Sequence, residues 1–215
     1  MDLLPALALQ HLWNARHMAA LCRNVEHDRI ADGKREIDNE VRGLAMMAFI
    51  SAAAFVESLI NELFSQPSNG QRIAGIPPDA VRTMKVLWDE VPSFERAATL
   101  DKYQAALAAI GKPQAIKNSP TRQPVQTVLD LRNALLHYKP KWQGNTAQYM
   151  ANQLSDVPRS RQLRPGAGFP NEVLNADSAE WACKVCVDFV DEWSGHMELT
   201  NPPDTQHQTG DWPTP

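Results

Sequence analysis

With 215 residues, 43% of them hydrophobic and 21% charged, the chain has the balance of a soluble globular protein and enough length to bury a core. Its net charge of −4 excludes a uniformly basic protein. Three cysteines, Cys22, Cys183 and Cys186, exclude a dense disulfide framework and suit a reducing cytoplasm. The opening Met-Asp-Leu-Leu-Pro lacks the basic start of a signal peptide, so the expected location is cytoplasmic. The pattern along the chain is helical almost throughout. Leu7 to Arg29 carries apolar residues at Leu9, Leu12, Trp13, Met18 and Leu21, and Asp32-Gly33 breaks it. A long helix is predicted from about Lys34 to Phe64, amphipathic at first and then almost wholly apolar. Within it, Gly43 to Ile60 has the composition of a membrane span, but Ser51 and Glu57 interrupt it at a length of about 18 residues, the threshold for spanning. Its Ala and Met content reads as the central helix of a bundle, with no membrane partner expected.

Turn residues at 66–70 end that helix, and Pro77-Pro78 precedes the next, with Asp79 as the expected N-cap of a short helix through Trp88. Pro92-Ser93 introduces a helix over Phe94 to Ile110, ended by Gly111 in the C′ role. A further helix is predicted from about Thr121 to Tyr138, with Pro124 tolerable in its first turn. From Lys139 to Asn175 prolines and glycines predict a long loop, which in a compact domain is usually functional or disordered. A last helix, about Asp177 to Met197, shows Trp181, Val185, Phe189 and Trp193 at fourfold spacing. No repeat and no alternating strand pattern occurs. The expected fold class is all-α. One helical domain is expected over residues 1–198, its core over about 34–198, followed by a disordered tail over 199–215.

The most informative stretch is Leu131-Arg-Asn-Ala-Leu-Leu-His-Tyr-Lys-Pro140. Asn133 and His137 stand at i and i+4 on one helical line, and Arg132 lies about 100° round the cylinder from it. Ala134, Leu135 and Leu136 are expected to anchor the helix to an apolar surface. A permanently charged guanidinium beside an imidazole that titrates near neutrality suits acid–base chemistry on a phosphodiester. The charge distribution agrees. From Lys112 to Arg164 nine basic residues face only Asp130 and Asp156, giving +7 for this segment and −11 for the remainder. That is the footprint of a polyanion-binding surface or of a solvated basic loop.

Arg132-Asn133-x-x-x-His137 resembles the Arg-(four to six residues)-His motif of the HEPN superfamily, including the polar residue that often follows the Arg. The helix order is similar too: a long apolar helix carrying an acidic residue, intermediate helices, the motif helix and a closing helix, over residues 34–198. The resemblance implies a HEPN-like helical bundle with an extra N-terminal helix and a long basic loop before the last helix. It also implies a homodimer and a metal-independent endoribonuclease of toxin–antitoxin or phage-defence systems. RNA and an antitoxin or regulatory protein are then the expected partners, and no cofactor is expected. Arg132, Asn133 and His137 are the expected catalytic residues, with Tyr138, Lys139 and Lys141 binding substrate. The one motif histidine of each chain supplies one of two proton-transfer roles, so a two-fold dimer that brings two motifs together supplies both.

In one toxin branch of the family a tyrosine two residues after the His is nucleotidylated. Here Tyr138 follows directly and Lys139 stands in the second place, which departs from that branch; Tyr138 suits base stacking or helix-end packing. Glu57 is a supporting residue that orients Arg132, faces solvent or caps a polar pocket shared with Asn61. Cys183-x-x-Cys186 has no second pair at ligand spacing and reads as buried helix cysteines. The alternative to the nuclease is a catalytically silent module of the same fold that binds RNA, nucleotide or a partner protein.

Overall fold

Apolar residues at helical spacing become helices in nearly the expected places. The computed structural model describes residues 7–137, 154–165, 168–199, 203 and 205. Among them the chain is all-α, with six helices and no strand. The helices are α1 (Leu7–Ala31), α2 (Asn39–Ser68), α3 (Pro78–Glu90), α4 (Thr99–Ala109), α5 (Arg122–Leu136) and α6 (Ala176–Met197), with a 3₁₀ turn at Phe94–Arg96 before α4.

The differences from expectation lie at the ends, and each has a local cause. α2 begins at Asn39 because the preceding residues pair with the distant loop. The Ile37 N–H donates to the Arg164 carbonyl at 3.1 Å and the Arg164 N–H to the Arg35 carbonyl at 2.8 Å, an isolated bridge rather than a strand. Asp38 then caps α2, its Oδ1 accepting from the N–H groups of Glu40 at 3.0 Å and Val41 at 3.1 Å. α2 runs on to Ser68, with Pro67 in its last turn, where the missing N–H forfeits a single ladder bond. In α3 the N-cap is Pro77 and Pro78 takes the first helical position, so Asp79 lies inside the first turn instead of capping it. The helix expected over 94–110 is broken: Ser93 has φ +66°, the 3₁₀ turn follows, and α4 starts at Thr99. Gly111, at φ +80°, ends α4 as expected, with the Lys112 N–H donating to the Leu107 carbonyl at 2.8 Å.

Packing falls into two compact units. The first comprises Met1–Gln10, Ala54–Arg122 and Val187–Pro215, and the second His11–Ala53 and Gln123–Cys186. In the first unit Tyr103 is fully buried and packs edge-on to Phe189 and Trp193, with ring centroids 4.9 Å away in both cases. Its hydroxyl donates to the Val56 carbonyl at 2.8 Å, and the Trp193 indole donates to the Tyr103 carbonyl at 3.2 Å, so both aromatics bury their polar ends satisfied. Phe64, Trp88 and Phe94 form a second aromatic group.

In the second unit the buried residues of α1, α2, α5 and α6 include Leu12, Cys22, Ala45, Phe49, Val125, Val128, Ala182 and Cys186. The Cys22 thiol donates to the Val41 carbonyl at 3.4 Å, and Phe49 meets Trp181 at 6.5 Å. Arg23 joins α1 to the first turn of α6 through Asp177 at 2.6 Å and Glu180 at 2.7 Å. The start of α6 is capped reciprocally: the Ser178 N–H donates to Asn175 Oδ1 at 3.0 Å and the Asn175 N–H to Ser178 Oγ at 3.2 Å. α2 is long and apolar enough to cross a membrane, but half of its apolar window is buried, as befits a core helix.

Candidate functional site

Helix α5 presents the motif. Val125, Val128, Leu129 and Leu131 are buried and bind one face of the helix into the second unit. The residues that follow turn progressively to solvent: Arg132 is half-buried, and Asn133 and His137 are exposed. The His137 N–H donates to the Asn133 carbonyl at 2.9 Å, so helical hydrogen bonding continues through His137 although α5 ends at Leu136. Asn133, Leu136 and His137 therefore stand at i, i+3 and i+4 on one open line. Leu136 was expected to anchor the helix but is 51% exposed, because the buried face has rotated away from it by the last turn. Asp130, the acidic neighbour on α5, accepts from Gln126 Nε2 at 2.9 Å.

Tyr138, Lys139 and Lys141 lie outside the described residues, as do most of the loop's first half and nearly all of the tail. Glu57 belongs to the first unit, whereas Arg132, Asn133 and His137 belong to the second. Glu57 is half-buried, and its charge acts on Lys102, which is only 2% exposed. The Lys102 ammonium donates to Asn61 Oδ1 at 2.8 Å and to the Glu95 carbonyl, with the Trp88 ring centroid 5.7 Å away. Burial pushes Lys102 below the ordinary lysine value, and the charges of Glu57 and Glu95 work the other way. Sequence reasoning missed this lysine, though it stands four residues before Ala106, at a core position of α4.

A second missed group is Glu26, 3% exposed on α1. Its carboxylate accepts from Ser160 Oγ at 2.5 Å and from the Ala176 N–H at 2.9 Å, tying the basic loop and the start of α6 to α1. A carboxylate at a helix N-terminus meets the positive end of the dipole. The described basic residues of the 112–164 segment are distributed over both units. Lys112, Lys117 and Arg122 belong to the first unit, and Arg132, Arg159, Arg161 and Arg164 to the second. Lys112 is held by Glu198 and by the His196 carbonyl at 2.9 Å, and Arg159 pairs with Glu172 at 3.2 Å.

Cys183 and Cys186 are buried in α6. Desolvation pushes the Cys183 thiol up to about 12 and the Cys186 thiol well above its ordinary value, which leaves neither as a thiolate near neutrality. Among the described residues no three His, Cys, Asp or Glu side chains converge as metal ligands would. The fold and site together define an all-α chain carrying an exposed Asn-x-x-x-His line beside an arginine at the end of a helix. No family model, no curated protein and no solved structure matches this chain.

Proposed function

We propose that the chain is a metal-independent endoribonuclease of HEPN type, acting as a homodimer in a cytoplasmic toxin–antitoxin or phage-defence setting. The observation that carries this reading is the exposure of Asn133 and His137 on one line of α5, with the Arg132 side chain one position away on the same turn. An imidazole at a helix end, open to solvent, is placed to take the proton from a ribose 2′-OH. Arg132 grips nonbridging oxygens and offsets the charge that grows on the phosphorane. Asn133 orients the phosphate or the imidazole.

The 2′-oxygen attacks phosphorus, the P–O5′ bond breaks, and the leaving 5′-oxygen takes a proton from the His137 of a second copy in its imidazolium form. The products are a 2′,3′-cyclic phosphate and a 5′-hydroxyl. Leu136, apolar and half-exposed between the two polar residues, suits the two-fold contact that this division of labour requires. An antitoxin or regulatory protein that covers the same line of α5 would silence the site.

A catalytically silent module of the same fold, binding RNA, nucleotide or a partner protein, is the second reading; the net charge of −4 favours it. Product chemistry separates the two. Phosphorus NMR of a digested oligoribonucleotide is expected to show the cyclic phosphate, whereas intact RNA, or a 5′-phosphate at the new end, contradicts the proposal.

A further inference from the structure

A depression in the first unit goes beyond the motif line, and of the motif helix it takes in only the first residue, Arg122. It has a volume of about 440 Å³, and Asp101, Gln104, Gln114, Lys117 and Arg122 lie on its walls. That is within the size range of small-ligand pockets, about 300–1,000 Å³. Two cations face one carboxylate. Among the described residues neither Lys117 nor Arg122 has an ion pair or a side-chain hydrogen bond. Arg122 Nη1 is covered by protein yet meets no acceptor. Other basic residues are neutralised: Lys112 by Glu198, Arg159 by Glu172, Arg23 by Asp177 and Glu180. A guanidinium with a buried N–H left unmatched carries a standing desolvation cost that an anion on its open side relieves.

The backbone that carries both cations is already fixed. Consecutive turns hold it, through the Lys117 N–H to the Gln114 carbonyl at 3.2 Å and the Arg122 N–H to the Ser119 carbonyl at 3.2 Å. Between them, Ser119 Oγ and Thr121 Oγ1 each donate to Glu192 Oε2 on α6 at 2.7 Å. Partial burial works to raise the Glu192 carboxyl, but the two hydroxyls and His196 outweigh it and hold the group below the ordinary carboxylate value, so the bracket stays ionised at neutral pH. A ligand that meets Lys117 and Arg122 therefore does not have to order the loop between them.

From this geometry we infer that the Lys117–Arg122 depression binds the phosphate group of a nucleotide or of a nucleic-acid strand. Two cations match a phosphate more closely than a single carboxylate. The planar guanidinium takes two phosphate oxygens, and the lysine supplies a point charge beside it. The volume left over accommodates the attached sugar and base, with the Gln114 amide at the wall. Asp101 sets the limit on affinity, because it repels the same anion.

The test is calorimetric titration of the full-length wild-type protein with adenosine 5′-monophosphate, with adenosine and with inorganic phosphate. The monophosphate is expected to bind, adenosine is not, and phosphate is expected to compete. Lys117→Gln and Arg122→Gln should each weaken the monophosphate by about tenfold to a hundredfold, the worth of one charge-assisted hydrogen bond. Asp101→Asn should tighten it, an outcome that a purely structural role for these residues does not produce. Thermal melts of the three variants serve as the folding control.

A thymidine oligonucleotide, which has no 2′-hydroxyl and is not cut by the proposed chemistry, distinguishes the source. Binding tighter than the monophosphate and lost in Arg122→Gln assigns the site to a strand; weaker binding assigns it to a free nucleotide. Absence of binding by every phosphate ligand overturns the inference. So does affinity that is unchanged in Lys117→Gln and Arg122→Gln but lost in His137→Ala, because the phosphate then sits at the motif.

Discussion

Replacing Lys102 by Met probes the buried polar cluster of the first unit while nearly keeping the side-chain shape. Lys102 is 2% exposed and donates to Asn61 Oδ1 at 2.8 Å and to the Glu95 carbonyl. Methionine leaves both acceptors without this donor, at about 1–3 kcal/mol each. It also removes the cation that answers the Glu57 charge and packs 5.7 Å from the Trp88 ring centroid. Against these losses stands the relief of no longer burying an ammonium, the effect that lowers the Lys102 pKa. The net expectation is a loss of about 2–3 kcal/mol, which for a chain of this size lowers Tm by about 5–10 °C. Urea denaturation followed by circular dichroism and by tryptophan fluorescence measures it. Adding Asn61→Leu removes one orphaned acceptor, so the double variant should be more stable than the sum of the two single changes implies, by about 1 kcal/mol. A Lys102→Met protein as stable as wild type, or more so, would refute the reasoning, because the ammonium's desolvation would then outweigh everything it holds.

Alkaline pH should weaken the second unit through its thiols. Burial, with a smaller contribution from the Glu26 charge, raises Cys22 from 9.0 to about 12, and burial likewise raises Cys183 to about 12. A raised folded value gives stability that is complete below the ordinary thiol pKa and is lost as pH climbs toward the folded one. At about pH 10 each such thiol costs about 1.4 kcal/mol relative to neutrality. The alkaline loss should therefore shrink by that amount in Cys22→Ala, and equal losses in wild type and variant would contradict the burial argument. The half-exposed Leu136 bears on assembly. Leu136→Asp should weaken self-association by about tenfold or more, since each copy of a two-fold contact loses about 1 kcal/mol of apolar burial. Sedimentation equilibrium measures this, and unchanged association would contradict the two-fold contact proposed at Leu136.

The helices were legible because burial repeats along them. Trp181, Val185, Phe189 and Trp193 of α6 stand at the spacing that periodicity requires, and Val185, Phe189 and Trp193 are buried. Helix ends were legible only where one residue decides them, as Gly111 does at φ +80°. The start of α2 depends on Arg164, far along the chain, and no window around Lys34 contains that information. The gap between the 3₁₀ turn and α4 is local by contrast: Lys102, seven residues on, holds the Glu95 carbonyl, a side-chain contact that hydrophobic periodicity does not register.

At the candidate site, Arg132, Asn133 and His137 were legible as neighbours because they share one helix. The exposure of Leu136 was not, because a run of apolar residues does not say where the buried face stops turning. The surroundings of Glu57 were half-legible. Asn61 was expected in the same polar pocket, but the lysine at its centre arrives from α4.

Cleavage of labelled RNA by the purified protein in EDTA, with His137→Ala and Arg132→Ala prepared in parallel, tests the central claim most directly. Wild-type protein should cut with the metal chelated. His137→Ala should lose about 10²–10⁴-fold and Arg132→Ala about 10²–10³-fold. Equal cleavage in all three samples, or none in the wild type, would contradict the assignment of nuclease chemistry to this line of α5.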